Sequence, residues 1–273
     1  MAITGLTEAQ TTPALTAYRR SSDSLATSAI RLGTNHRIIH TGDDSASVSA
    51  ATNLQSQSSV LRSARVNGAK ATSFLQVASN GLTQVRSILT SLSELVATAN
   101  QTGLTDRQRT TLDAQFHSQL SQIDAVVAAT TFNGQTILDG SASGGGAPQY
   151  QIGFPATSTI ALTIPSVTSA SLFAAPVALV TAPVAATNSV TVAQATVDDA
   201  IAKIDAYQVR LDAADAATKR NIFGVDHATD SILNTDTPAE NRSVDRNHFQ
   251  QQTTAALLAQ TFNFNSSLLN LVR

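Results

Sequence analysis

The pattern of apolar and polar positions is most regular between residues 61 and 96. Small or apolar residues recur there at alternating spacings of three and four, which predicts a long helix with coiled-coil-like packing. A second apolar face requires more than one neighbour, as in a helical bundle. The first face consists of Leu61, Ala64, Gly68, Ala71, Leu75, Ala78, Leu82, Val85, Leu89, Leu92 and Val96, and the second of Phe74, Val77, Ile88 and Leu95.

Helical periodicity is also present before this run. Pro13 stands near the start of a predicted helix over 13–32 and Gly33 just past its end, the positions that proline and glycine favour around helices. The segment 33–44 is rich in turn residues, so we expect a connector that ends in a helix cap. The face of the predicted helix is Leu15, Tyr18, Leu25, Ala29 and Leu32.

A third helix is predicted after Gly103. Residues 105–108 form a capping box, and the short loop before them favours an antiparallel arrangement with the long helix. Asn133-Gly134 then stands between apolar residues, which is a strong signal of a β-hairpin. The apolar face of the third helix is Leu112, Phe116, Leu120, Ile123 and Val127.

The middle of the chain has a different pattern. Residues 140–197 contain no charged side chain, and those from 165 onward are rich in alanine, valine, threonine and proline. We expect a small β-rich insert with an irregular end. Apolar residues alternate there with period two, at Tyr150, Ile152 and Phe154 and again at Ile160, Leu162 and Ile164.

A fourth helix is predicted to begin at a cap over 196–199. Gln208, Asp215 and Thr218 interrupt its apolar face, which is therefore weaker than the face of the long helix. The face consists of Val197, Ile201, Ile204, Leu211, Ile222, Val225 and Ile232.

The last predicted helix runs to the C-terminus. Thr237 can serve as its N-cap, with Pro238 at the first helical position and Glu240 three residues after the cap. Residues 249–272 carry no charge but are half polar, so this part is too polar to span a membrane and requires protein partners. Its two apolar stripes are Ala255, Leu258, Phe262, Leu269 and Val272, and Leu257, Phe264, Leu268 and Leu271.

The composition excludes several functions. Charged residues make up 13% of the chain and the net charge is −2, so we expect no surface for nucleic acid. Cysteine is absent, which excludes disulfides and thiol chemistry. The first residues lack the basic and apolar regions of a secretory signal, so we expect any export to use another route.

No residues suggest catalysis or a cofactor. His36 and His40 are four residues apart, but the connector around them supplies no further metal ligand. Asp43 and Asp44 are more typical of a helix cap than of a cation site. The motifs of metalloproteases, hydrolases and phosphate-binding loops do not occur. We therefore expect a protein that is not an enzyme and that has no metal or cofactor.

The two ends of the chain share a low charge. Residues 1–18 carry only Glu8, and residues 249–272 carry no charge. On a monomer, two amphipathic ends of this kind would expose a larger apolar patch than proteins usually tolerate. Pairing with each other and with other copies would bury them. A head-to-tail contact of this kind does not close, so it builds a filament.

Several motifs resemble those of bacterial flagellins, in the same order. Leu25-xx-Ser28-xx-Arg31-Leu32 and the residues up to Asp44 are similar to the family's N-terminal signature, and the Phe-Asn-Gly turn resembles its hairpin. The resemblance covers about 1–140 and 195–273, and flagellins diverge between these segments. The signature residues are Arg31, Leu32, Arg37, Ile38, Asp43, Asp44, Phe132, Asn133, Gly134 and Glu240.

The resemblance implies a mainly α fold with a small β-rich insert, built as a long antiparallel helical bundle whose N- and C-terminal helices pair as a coiled coil. The terminal coiled-coil assembly region would be 1–43 and 236–273. The bundle core with its hairpin would be 44–139 and 196–235. A variable outer insert would occupy 140–195.

The implied function is that of a structural subunit of the extracellular bacterial flagellar filament, exported unfolded through the flagellar type III apparatus. Expected partners are copies of the same chain, hook-associated junction and cap proteins, and an export chaperone that holds the C-terminal helix. Neither nucleic acid nor a membrane is expected as a partner. Self-assembly would use Leu15, Tyr18, Leu25, Leu32, Leu257, Leu258, Phe262, Phe264, Leu268, Leu269 and Val272.

The chain departs from the family pattern at three places. Gly33-Thr34-Asn35 replaces the usual Ser-Ser-Gly, and the family usually lacks a proline at Pro238. Many flagellins carry arginines around Glu94-Leu95 that a Toll-like innate receptor recognises. This chain has Ser91 and Ser93 there, so we expect weak or absent receptor activation.

Two other functions stay open. A hook–filament junction protein would share the terminal helices, although the Phe-Asn-Gly hairpin and the Leu258-Ala259-Gln260 tail favour flagellin. A flagellin-like surface adhesin could use residues 140–195, although this insert lacks the aromatic and charged groups that such sites usually need. Polymerisation would distinguish these functions.

Overall fold

The computed structural model describes residues 2–143, 146–155, 157–173 and 177–271, with side chains from residue 12 onward except those of residue 265 and residues 268–271. The structure is 76% helical, which confirms the predicted mainly α fold. The helices are α1 (Ala2–Thr34), α2 (Ser45–Ala99), α3 (Asp106–Ala129), α4 (Ser169–Leu172), α5 (Pro183–Leu233) and α6 (Thr237–Leu271).

The described residues also form two small antiparallel sheets. Strand β1 (Thr131–Phe132) pairs with β2 (Gln135–Thr136), and β3 (Gln149–Gln151) pairs with β4 (Thr159–Ala161). The chain divides into two compact units, Met1–Ser56 with Val225–Arg273, and Gln57–Gly224.

The core of the second unit lies between α2 and α5. Every residue of the predicted first face of α2 is buried except Gly68, which is half-buried. Three polar contacts place α5 beside α2 in the opposite direction: Arg65 Nε to Asp215 Oδ1 at 2.8 Å, Arg86 Nε to Asp198 Oδ1 at 3.0 Å, and Asn100 Nδ2 to Thr187 Oγ1 at 2.9 Å. The predicted long helix and its bundle packing are confirmed.

Helix α3 packs antiparallel to α2, as predicted. The Thr105 side chain accepts from the Gln108 backbone N–H, and the Gln108 side chain accepts from the Thr105 N–H, so the capping box is confirmed. At one end of the pair the Arg109 guanidinium donates to the Ala99 carbonyl, and at the other Thr130 lies against Gly81. The buried residues of α3 are Phe116, Ile123 and Val127.

The predicted hairpin between β1 and β2 is also confirmed. Asn133 and Gly134 both adopt left-handed backbone conformations, with φ of 52° and 78°, which a tight hairpin turn of this type requires. The Phe132 ring packs edge-on against Phe74 at 5.4 Å between centroids, so the hairpin is attached to α2.

The prediction of a β-rich insert over 140–195 holds only in part. Its strands are β3 and β4, paired with Tyr150 opposite Ile160, and the fourth helix begins at Pro183 rather than at the predicted Thr196 cap. Proline suits a helix start because its missing N–H is not needed there. The apolar positions Ala186, Val190 and Ala193, which are buried, extend the helix face in the N-terminal direction.

Helix α1 differs from its prediction at both ends. It begins at Ala2, so Pro13 lies inside the helix. A proline there removes one backbone hydrogen bond, but α1 is paired with α6, and this packing supports the helix. Gly33 stays helical, and the left-handed position after the helix is taken by Asn35, with φ of 57°. Asparagine is the usual alternative to glycine there.

The cap of α6 also differs from its prediction. The Ala239 backbone N–H donates to Asp236 Oδ1 at 3.1 Å, so Asp236 rather than Thr237 is the N-cap. Pro238 lies in the first turn, where backbone N–H groups have no partner within the helix, so it does not disturb α6. A carboxylate accepts more strongly than a hydroxyl, which explains why Asp236 is preferred. The predicted restart of the helix after α5 is confirmed.

Candidate functional site

Helices α1 and α6 lie side by side in the first unit. Arg31 of α1 approaches Glu240 of α6, with Nη1 3.9 Å from Oε1, and the Thr235 hydroxyl donates to the Arg31 carbonyl at 3.4 Å. Because these contacts join the end of α1 to the start of α6, the helices are antiparallel. The predicted pairing of the two terminal helices is confirmed.

The seam between α1 and α6 consists mostly of small and polar side chains. Ala14, Ser21 and Ser28 are 7%, 3% and 4% exposed and are spaced by seven residues, the period of a coiled coil, while Asn247 of α6 is 8% exposed. The half-buried residues beside them are Ser22, Leu25, Arg31 and Leu32 of α1, and Ala239, Glu240, Ser243, Val244, Gln251, Thr254, Leu258 and Thr261 of α6.

Most of the large apolar side chains described on the same two helices are exposed. Phe262 and Phe264 are 63% and 64% exposed, although aromatic side chains gain most when they are buried. The full set is Leu15, Tyr18, Ile30, Phe249, Leu257, Phe262 and Phe264. We call the described part of the pair inverted because small and polar residues are its most buried positions, whereas most large apolar side chains lie outside.

The predicted assembly residues fall into three groups. Leu25, Leu32 and Leu258 are half-buried, whereas Leu15, Tyr18, Leu257, Phe262 and Phe264 are exposed. Val272 and the side chains of Leu268 and Leu269 lie outside the described residues. Sequence reasoning missed the seam residues, because alanine and serine give no hydrophobic periodicity. The spacing of 14, 21 and 28 was the available signal.

The two connectors that lead into the terminal helices bind each other. The Arg37 backbone N–H donates to the Leu233 carbonyl at 2.8 Å, and the Thr235 N–H donates to the Asn35 carbonyl at 3.1 Å. His36 and Asn234 form an isolated β-bridge between them. The connectors after α1 and before α6 are thus held together by backbone hydrogen bonds.

Family-signature residues make the remaining contacts of this region. Arg37 Nη2 donates to the Ile232 carbonyl at 3.0 Å and lies 3.9 Å from Asp44 Oδ2. Asp44 accepts from the Ser47 N–H at 3.0 Å and thereby caps α2. Arg37 therefore joins the C-terminal carbonyls of α5, where a cation is favoured, to the cap of α2.

Asp43 stabilises the turn within the same connector. Its Oδ2 accepts from the backbone N–H groups of His40 and Ile39, both at 3.0 Å. These bonds lower the pKa of Asp43, and bonds from Ser47 lower the pKa of Asp44, because each stabilises the ionised carboxylate. Of this Asp pair, Asp44 therefore caps the following helix as predicted, whereas Asp43 stabilises the turn before it.

Among the described residues, no group of three His, Cys, Asp or Glu side chains could hold a metal ion. None of the described helices combines the length and apolarity needed to cross a membrane. The segment near which many flagellins carry receptor-recognised arginines lies on α2. Glu94 is exposed there, and Ser91, Ser93 and Leu95 are half-buried.

A mainly helical protein whose helices α1 and α6 pack against each other defines the fold class. The chain belongs to the bacterial flagellin family: the family model described as the bacterial flagellin N-terminal helical region matches residues 6–143. This match covers α2, α3, the first hairpin and all but the first residues of α1.

Individual relatives agree with this assignment. A B-type flagellin of Pseudomonas aeruginosa is 30% identical over 152 residues, which is 56% of this chain and 30% of the relative. Flagellin B of Helicobacter pylori is 31% identical over 145 residues, or 53% of this chain and 28% of the relative. The matched stretch thus spans less than a third of the length of these relatives.

A solved structure has the same fold. It is a protein from Vibrio parahaemolyticus described as flagellar hook-associated, with a TM-score of 0.58 and 18% sequence identity. The superposition covers 70% of this chain and 99% of that chain. At this identity the likeness concerns the fold alone.

Proposed function

We propose that this chain is a structural subunit that polymerises into the bacterial flagellar filament. The observation that supports this most directly is the inverted pair of α1 and α6, whose large apolar side chains point outward. Such a patch is usual for an interface rather than for a free surface. Copies of the same pair can cover it, because each copy presents apolar side chains from both helices.

Assembly through the ends assigns a role to each region. Residues 1–43 and 236–273 would form the assembly region, residues 44–139 and 196–235 the helical bundle core with the first hairpin, and residues 140–195 the variable outer insert. Proposed partners are copies of the chain, hook-associated junction and cap proteins, and an export chaperone on α6. The filament would be extracellular, and the subunit would reach it by type III export. The subunit would catalyse no reaction.

Polymerisation tests this proposal. Monomer prepared by acid or heat should elongate short filament seeds near neutral pH, as seen by electron microscopy. A chain that lacks residues 254–273 should not elongate them, while the helix signal of the 44–130 bundle remains in circular dichroism. Filaments formed by the truncated chain would refute the proposed role of the ends.

A hook–filament junction protein is the second candidate, because the Vibrio structure with the same fold is described as hook-associated. A junction protein occupies a limited number of positions, so it would not elongate seeds indefinitely. A full-length chain that stays monomeric in the seeding experiment would favour this function or an adhesin.

The surface around Glu94 carries a further proposal that follows from the family resemblance. Ser91 and Ser93 stand near positions where many flagellins have arginines, so the chain would activate the Toll-like receptor weakly or not at all. Serine lacks the charge and the fork geometry of arginine. A reporter-cell response equal to that of a typical enteric flagellin would contradict this proposal.

A further inference from the structure

We infer that the outward face of α1 in one copy binds the outward face of α6 in a neighbouring copy, and that ion pairs across this contact fix its register. The α1 patch consists of Asp23 and Ile30, and the α6 patch consists of Arg242, Arg246 and Phe249. The inference rests on the proposed filament function and adds which two faces of the α1–α6 pair meet.

Both patches point away from the seam between α1 and α6. Asp23 and Ile30 each follow a buried seam serine by two residues. Arg242, Arg246 and Phe249 likewise each follow a seam residue of α6 by two. Two residues correspond to just over half a helical turn, so each patch faces away from the partner helix. All five side chains are exposed, Ile30 by 50% and Phe249 by 66%.

The two patches lie at the same level of the α1–α6 pair. The approach of Arg31 Nη1 to Glu240 Oε1, at 3.9 Å, marks a common level of the two helices. Residues 23–30 lie one to eight positions before Arg31, and residues 242–249 lie two to nine positions after Glu240. Because the helices are antiparallel, the patches are offset by one residue, or about 1.5 Å. Two copies that stand side by side with little axial shift therefore bring one patch against the other.

The patches carry opposite charge. Asp23 is acidic, whereas Arg242 and Arg246 are basic and lie one turn apart on α6. Among the described residues, none of these three side chains makes an ion pair within the chain. The guanidinium fork can bind a carboxylate through two parallel hydrogen bonds. Complementary charges of this kind orient two partners and fix their register.

The side chains around these charges fit the same contact. Ile30 and Arg242 are nearly level, so the alkyl stem of the arginine would cover the isoleucine. Arg19 lies on the same face of α1 as Asp23, but it is level with a part of α6 that carries no charge. Asp245 lies to one side of the α6 patch, because a shift of one residue turns a helix by more than a quarter turn.

The α6 patch continues into the apolar surface proposed for assembly. Phe249, Leu257 and Phe264 are spaced by eight and seven residues, so they share one face of α6 with Arg246. They are 66%, 52% and 64% exposed. A neighbouring copy would cover this apolar stripe, and the ion pairs would select the level at which it does so. The contact uses different surfaces on the two copies, so it continues from copy to copy without closing.

Charge reversal in the full-length chain tests this contact. The variant Asp23→Arg, and the double variant Arg242→Asp with Arg246→Asp, should each elongate wild-type seeds only at a critical concentration raised about tenfold or more, because repulsion replaces attraction. The defect should shrink in high salt, which screens the charges.

Matched reversals in the second unit serve as controls. Asp205→Arg makes the same change as the α1 variant, and Arg107→Asp with Lys203→Asp makes the same change in charge as the α6 variant. All three control positions are exposed. Both control chains should elongate wild-type seeds like the wild type.

An equimolar mixture of the α1 variant and the α6 variant separates contacts between copies from contacts within one chain. In an alternating polymer, the arginine introduced at position 23 meets the two introduced aspartates, and the native Asp23 meets the two native arginines. We therefore expect the mixture to copolymerise at a nearly wild-type critical concentration. Neither chain regains a contact within itself.

The outcomes distinguish this inference from the proposed function. If the wild type elongates seeds and the reversed variants elongate equally well, the inference is wrong and the proposed function stands. If the reversed variants fail and their mixture also fails, a contact between copies at these faces is excluded. If the wild type does not polymerise, the filament function fails and this inference fails with it. Circular dichroism of each variant should match the wild type, since the substituted side chains are exposed.

Discussion

Two glycines of α2 have opposite surroundings. A Cβ added at Gly81 would lie 2.6 Å from Thr130 Oγ1 and 2.7 Å from Leu138 Cδ1, whereas a Cβ at Gly68 would have no atom within 4 Å. Glycine therefore permits the close approach of α2 to the end of α3 at Gly81. At Gly68 it only weakens the helix, because glycine is a poor helix former.

The variants Gly81→Ala and Gly68→Ala should consequently change stability in opposite directions. We expect Gly81→Ala to lower the free energy of unfolding by about 1–3 kcal/mol, because the neighbours must move. Gly68→Ala should raise it by about 0.5–1 kcal/mol. Urea unfolding followed by circular dichroism measures both, and a loss at Gly68 equal to that at Gly81 would contradict the packing described.

Asp215 gives the bundle a defined pH dependence. Hydrogen bonds from Arg65 and then from Lys219 lower its pKa below the usual 3.8. A lowered folded-state pKa means that the carboxylate stabilises the fold above about pH 4 and loses this contribution as the pH falls through its folded pKa.

The variant Asp215→Asn should therefore be less stable than the wild type at pH 7. The loss should be below about 1 kcal/mol because the pair is partly solvated, and it should vanish at a pH below the folded pKa. Unfolding curves at several pH values measure the difference between the two chains. A difference that persists at the lowest pH would show that the charge of Asp215 is not its cause.

Residue-scale predictions from the sequence succeeded where one local motif determined the structure. The Thr105 capping box and the Asn133-Gly134 turn contain their own hydrogen-bond partners or backbone preferences, so they were predictable. The predicted N-cap of α6 was wrong because Asp236 and Thr237 are adjacent and both suit the N-cap position. The sequence alone does not decide between such neighbours.

At the scale of elements, carboxylates of α3 hold the segment that leads into α5. Asp124 accepts from the Ser169 N–H at 2.8 Å and from its hydroxyl at 2.6 Å, and Asp113 accepts from the Leu179 N–H at 2.9 Å. The Phe173 ring also lies 5.9 Å from the ring of Phe116. Three hydrogen bonds to two carboxylates and one aromatic contact therefore fix this segment on α3.

Loss of one contact should loosen the segment without unfolding the bundle. We expect Asp124→Ala to increase the rate of limited proteolysis near α4 several-fold, because α4 has only four residues and Asp124 accepts hydrogen bonds from the backbone and the hydroxyl of its first residue, Ser169. Gln122→Ala, at an exposed position of the same helix, serves as the control. Equal cleavage of the two variants would mean that Asp124 does not hold α4.

The elements with strong periodicity were the predictable ones. The face of α2 is apolar over many turns, so its extent followed from the sequence. The start of α5 was missed because alanine, valine and threonine suit strands and buried helices alike. The seam residues Ser21, Ser28 and Asn247 were missed because a polar seam has no hydrophobic signature.

At the scale of the molecule, the low charge of both ends predicted that they pair, and α1 and α6 do so. The inversion of this pair followed only from the structure, since periodicity cannot say which stripe faces the partner helix. Burial of a large apolar side chain stabilises by about 1.5–3 kcal/mol. Covering Leu257, Phe262 and Phe264 in a neighbour would therefore supply a large part of the energy of assembly.

Seeded elongation of a chain with Leu257→Ser, Phe262→Ser and Phe264→Ser is the most direct test that the outward face of the terminal pair drives assembly. The control replaces three similarly exposed residues of α5, Val184, Val192 and Phe223, by serine. We expect the control to elongate wild-type seeds and the α6 variant to add no measurable length at the same concentration. Elongation of the α6 variant at the wild-type rate would contradict the central claim.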